Sequence, residues 1–145
     1  MKKYKIFIKW LQTISVILCL FGISLAFFGK SPFFFWLFFG QPYPTFFESS
    51  TFTEQVILLG AWNGAMAGSA YTFTGILMFF IFTFSFLKRE KWAFSAILTG
   101  LIIWYSLNTG FTIIYKVYFK IIIDTIFFLS VMIPIIIIRK GFKEK

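Results

Sequence analysis

Leu59-Gly60-Ala61-Trp62-Asn63-Gly64-Ala65-Met66-Ala67-Gly68-Ser69-Ala70 lies near the middle of the chain. Glycine recurs there every fourth residue, at Gly60, Gly64 and Gly68, and Thr72 extends the stripe. Eight of the eleven residues from Gly60 to Ala70 are Gly, Ala or Ser, so one helix face carries almost no bulk. In a soluble helix each Gly costs about 1 kcal/mol against Ala. In lipid the same face is a packing device, because a neighbouring backbone can come close to it. Gly60, Gly64, Gly68 and Thr72 are therefore the expected helix-packing surface, and Gly64→Leu is expected to destabilise the protein.

The helix carrying this stripe has no proline from Phe52 to Leu87. Thr51 and Glu54 have the spacing of a capping box at its start. Its 36 residues would reach roughly 54 Å, against about 30 Å of hydrocarbon. It must tilt, kink near its glycines, or project on the Thr51 side. Upstream, Lys2, Lys3, Lys5 and Lys9 lead into an apolar run ending at Phe28. That run is longer than a signal-peptide core and no A-x-A site follows it, so it reads as a retained helix. Cys19 in its middle reads as a small buried residue. Gly29-Lys30-Ser31-Pro32 ends the helix, with Ser31 placed to cap and Pro32 at a first helical position. The aromatic run from Phe33 to Gly40 is too short to span a bilayer and fits the headgroup boundary. Gln41-Pro42-Tyr43-Pro44 then forces an extended turn. Downstream, Lys88-Arg89-Glu90-Lys91 is a basic turn. A third helix follows from Trp92 to about Thr112, and a fourth from Phe119 to Ile138.

The fold class that follows is an all-α integral membrane protein. It is a four-transmembrane-helix bundle with a short aromatic interfacial helix between the first and second spans. The spans lie at about 5–28, 55–87, 92–112 and 119–138, the interfacial segment at about 32–40 and a basic cytoplasmic tail at 139–145, all in one domain of 1–145. Composition agrees: 59% of the 145 residues are hydrophobic and 13% charged, with a mean hydropathy of +0.87. A soluble domain of this size could not bury so much apolar surface.

Orientation follows from the basic residues. The N-terminal segment, the Lys88 turn and the tail hold eleven of them, against three at Lys30, Lys116 and Lys120. Both termini are therefore expected in the cytoplasm. The formal net charge of +9 then points to anionic lipid headgroups rather than nucleic acid. High Phe, Ile and Lys usage fits an AT-rich bacterial genome and hence a bacterial cytoplasmic membrane.

There is no histidine and one cysteine, Cys19. The usual haem ligand, zinc ligand and general base are thus missing, and no redox pair can form. No HExxH, CxxC or Walker loop occurs. The expectation is a protein that is not an enzyme and uses no cofactor or metal. Asp124 is the one acid well inside an apolar run. It stands four residues from Lys120, and Asn108 falls at a similar depth on the third helix. Lys116, Asn63 and Trp104 complete a candidate polar pocket with Asp124, Asn108 and Lys120. One reading is polar glue between helices. The other is an outward-facing pocket walled by Gly60, Gly64 and Gly68.

Two functions match these readings. The first is a structural or interaction subunit of a membrane assembly, as a homo-oligomer or with a partner subunit. The alternative is a binder or transporter of a small amphipathic solute or lipid. In size the chain is similar to the small multidrug transporters. Those carry a glutamate in the first helix, and this first helix has no acid, so the likeness ends at size.

Overall fold

The computed structural model describes residues 2–35 and 53–142. Among the described residues there is no strand, and helix accounts for 90%. Helix α1 covers Lys2–Phe28, and a single turn, α2, follows at Pro32–Phe35. Helix α3 covers Glu54–Phe80 and runs on into a π-helical turn, Ile81–Phe86. Helices α4 and α5 cover Lys91–Ile114 and Phe119–Ile138, and a 3₁₀ turn, Arg139–Phe142, closes the described chain. Four helices (α1, α3 with its π turn, α4 and α5) are long and apolar enough to cross a membrane.

The ends of these helices follow from local chemistry. At the start of α2, Ser31 Oγ accepts from Phe34 N at 3.5 Å, and Pro32 fills the first helical position. The α3 cap is Thr53, whose hydroxyl accepts from Val56 N. That displaces the expected start by two residues. Val56 stands where a capping box needs Glu or Gln, so the cap is one-sided. Thr51, the rest of the aromatic run after Phe35 and residues 143–145 lie outside the described residues.

Helices α4 and α5 are joined through a left-handed residue, Lys116, at φ 59°. Val117 N donates to Thr112 O at 3.0 Å and Lys116 N to Ile113 O at 3.1 Å. This is the Schellman pattern, and glycine is its usual occupant. Arg89 ends the π turn in the same way, at φ 58°, with Glu90 N on Ser85 O and Arg89 N on Phe86 O. A side chain in this conformation costs roughly 1 to 2 kcal/mol. Lys116 is exposed. Lys116→Gly is expected to stabilise the fold by about 0.5 to 1 kcal/mol, once the added freedom of the unfolded chain is set against the relieved strain. The melting temperature in detergent should rise accordingly.

Helix α1 is central. It packs on α3 along most of its length and on α5, while α4 packs on α5 and the π turn touches both α1 and α4. The α1–α3 seam is built from small residues on both sides. A Cβ on Gly68 would stand 2.5 Å from Gly22 O and 2.6 Å from Ala26 N. One on Gly22 would meet Thr72 N at 2.5 Å, and one on Gly75 would meet Ser15 O and Cys19 N at 2.7 Å. Backbone therefore lies on backbone, which only this composition permits. The α1 half of the seam is Ser15, Cys19, Gly22 and Ala26, again at spacings of three and four. Helix α3 is continuous through its glycines, and its regular pattern widens to π at Ile81–Phe86, beyond the last of them.

The main core gathers at the end holding the basic turn. Phe82 and Phe86 are fully buried and meet edge to face at 4.9 Å. Phe142, 3% exposed, packs on Phe86 at 5.0 Å and on Phe94 at 5.1 Å. The tail expected from Arg139 onward thus begins inside the fold, because Phe142 is a large apolar side chain with a core within reach. Tyr4 joins the same cluster. Its hydroxyl donates to Phe86 O at 2.5 Å, and Arg89 lies over its ring at 5.1 Å.

Pro134 lies inside α5 and has no N–H, so the Ser130 carbonyl one turn earlier loses its helical donor. Trp10 of α1 supplies one, its indole Nε1–H donating to Ser130 O at 3.0 Å. Trp10→Phe is expected to cost about 1 kcal/mol. In a Pro134→Ala background the alanine N–H takes over that carbonyl, and the same change should cost much less. A double-mutant cycle in detergent measures the coupling; additive effects would show that the indole bond does not matter.

Candidate functional site

Helices α4 and α5 run antiparallel across the short 115–118 connection, which sets Asn108 opposite the first turns of α5. Lys120 and Asp124 are one turn apart on α5. Lys120 Nζ donates to Asp124 Oδ2 at 2.5 Å and to Asn108 Oδ1 at 3.4 Å. Asp124 is 7% exposed, whereas about a third of the Lys120 side chain remains accessible. The carboxylate is thus enclosed and its cation sits at the rim, as desolvation requires of a buried charge.

The polar seam continues inward. Tyr105 and Thr125 share a hydroxyl–hydroxyl hydrogen bond at 2.8 Å, and the Tyr105 ring stacks on Phe128 at 4.4 Å. Trp104 meets Phe127 edge to face at 5.5 Å. Tyr71 of α3 packs against Phe21 of α1, whose ring touches Phe34 of α2. Thr112 is buried on the same stretch of α4. Thr109 Oγ1 is buried without a hydrogen-bond partner among the described residues.

Of the residues singled out from sequence, Asp124, Lys120 and Asn108 come together in one network, and Trp104 packs one turn deeper in the same seam. Lys116 is exposed at the end of α4 and Asn63 is exposed on α3. Gly60 is buried, and Gly64, Gly68 and Thr72 face α1 rather than Asp124. The small face is therefore covered by a helix where a cavity wall was expected. Its complement on α1 went unread because Ser15, Cys19, Gly22 and Ala26 are scattered among Leu, Ile and Phe.

Tyr105 and Thr125 lie outside the set expected from sequence. The available signal was their place one helical turn from Asn108 or next to Asp124. Among the described residues, grooves also lie elsewhere. One, of about 370 Å³, is bordered by Ala26, Lys30, Leu58 and Trp62 at the far end from the basic turn. Another, of about 240 Å³, lies between Phe7 and Trp10 of α1 and Leu129, Ser130, Ile133 and Pro134 of α5. Among the described residues no group of three His, Cys, Asp or Glu side chains is placed to hold a metal.

Fold and seam together define, over the described residues, an all-helical protein with four membrane-length helices and a Lys120–Asp124 ion pair on α5 bonded to Asn108 of α4. Set against protein-family models, curated proteins and solved structures, the chain matches none.

Proposed function

We propose that this chain is an integral membrane protein with a structural role, a packed helical subunit that associates with other membrane components and carries out no catalysis. Helices α1, α3, α4 and α5 cross the bilayer in this reading. Exposed apolar side chains such as Phe73, Ile103, Leu107, Ile122 and Ile126 support it, since lipid is the environment in which they are stable. Both termini and the Lys88 turn lie on the cytoplasmic side of a bacterial membrane, and the aromatic segment after Pro32 lies at the opposite boundary. The gathering of Tyr4, Arg89 and Phe142 at one end fits that orientation.

The observation that carries the structural role is the state of Asp124. Its charge is already answered by Lys120 on its own helix, with Asn108 bonded across to the same ammonium. A carboxylate held in this way steadies Lys120 where it bonds Asn108 of α4, and so supports the α4–α5 contact. The second reading, a solute binder, has Thr109 in its favour, a buried hydroxyl beside Asn108 with no partner among the described residues. Asp124→Asn separates the two. The structural reading expects a lower monodisperse yield in detergent. A binding role expects normal yield with loss of solute binding or uptake in reconstituted vesicles, and that result would overturn the structural reading.

A further inference from the structure

The groove between α1 and α5 has no use in the structural role, yet its chemistry is specific. Phe7, Trp10, Leu129, Ile133 and Pro134 supply hydrocarbon and aromatic walls. The polar group that Pro134 leaves without a helical donor, Ser130 O, is already bonded to the Trp10 indole. An occupant therefore finds no hydrogen bond to make and must be apolar. The groove offers about 240 Å³. A flexible hydrocarbon chain, which has no polar group to satisfy, meets that requirement.

One end of the groove opens onto concentrated positive charge. Lys3 stands one turn before Phe7 on the same face of α1, and Arg139 ends α5 just past Pro134; both are exposed. The fold adds Lys5, Lys9, Lys88 and Lys91, all exposed, because Tyr4 ties α1 to Phe86 and Arg89. Glu90, the acid within that turn, is engaged by the Trp92 indole at 2.6 Å. An apolar groove with basic side chains toward one end is complementary to an anionic lipid.

We propose that this groove binds an anionic phospholipid, one acyl chain lying between Phe7, Trp10 and Pro134 and the headgroup phosphate between Lys3 and Arg139. The inference rests on the membrane reading above and names the partner at its basic face. Trp10 reports on the groove directly. A variant keeping it as the only tryptophan (Trp36→Phe, Trp62→Phe, Trp92→Phe, Trp104→Phe) is reconstituted in phosphatidylcholine vesicles. A tenth of the lipid carries brominated acyl chains, either as phosphatidylglycerol or as phosphatidylcholine.

The brominated anionic lipid is expected to occupy the groove about fivefold more strongly than the zwitterionic one, seen as deeper quenching at equal mole fraction. Lys3→Gln with Arg139→Gln should remove that difference. Equal quenching by both lipids, or a preference that survives the double substitution, would overturn the proposal while leaving membrane insertion intact. Absence of quenching by either lipid would instead overturn insertion itself, and the groove proposal with it. If the single-tryptophan variant does not fold, wild-type protein mixed with the two lipids in detergent is compared by native mass spectrometry. Preferential retention of one phosphatidylglycerol, lost with Lys3→Gln and Arg139→Gln, supports the site; equal retention overturns it.

Discussion

Gly68→Ala is expected to lower stability by about 1 to 3 kcal/mol, and Gly68→Leu to prevent the native α1–α3 packing. The atoms that an alanine Cβ would strike are main-chain atoms, Gly22 O at 2.5 Å and Ala26 N at 2.6 Å. Neither can rotate away as a side chain would. The helices must separate instead, and every close contact from Ser15 to Ala26 loosens with them. Two controls isolate this effect. A Cβ at Gly64 meets only Leu25 Cδ1, at the ordinary distance of 3.5 Å, so Gly64→Ala should be mild. Nothing lies within 4 Å of a Cβ at Gly110, so Gly110→Ala should be neutral or stabilising. Unfolding midpoints in mixed detergent give the ranking. If Gly68→Ala melts with Gly110→Ala, the close seam is absent.

Asp124→Leu should cost about 2 to 3 kcal/mol, because it leaves the Lys120 ammonium at a half-buried site with only Asn108 as partner. The part of Lys120 that is accessible keeps this below the cost of a fully buried orphan charge. Asp124→Asn should cost less, since an amide oxygen can still accept from Nζ. Removing both charges, with Lys120→Met added to Asp124→Leu, should recover most of the loss. Recovery shows that the carboxylate serves only to answer the Lys120 charge. A double variant no better than Asp124→Leu alone would mean that the carboxylate has a separate task.

The candidate site was legible as far as it was local. Lys120 and Asp124 are four residues apart on a continuous helix, so their pairing needs nothing beyond helical geometry. Asn108 was placed beside them by counting residues through a bilayer, a depth argument that works because both helices adjoin the same short connection. Trp104 and Asn108 share a helix face in the same way. Which face of α3 meets which neighbour was not legible, because a small-residue stripe is symmetrical in its meaning. It allows a close helix as readily as a cavity, and only the position of α1 distinguishes the two. Residues without a pattern of their own, such as Tyr105, Thr125 and Phe142, become informative only once a partner is beside them.

By itself the amino-acid order determined that the described chain is helical, where its four long apolar helices run to within a few residues, and which ions lie near their ends. Those properties follow from hydrocarbon content, capping residues and the 3.6-residue period, all of which act over neighbouring positions. The tertiary structure alone decided that α1 covers the glycine face, that Trp10 serves the carbonyl freed by Pro134, and that Phe142 closes the core. Each of these joins groups roughly fifty to a hundred and forty residues apart, and contacts at that separation are chosen by which surfaces pack without a clash or an unbonded polar group, a condition no local pattern encodes.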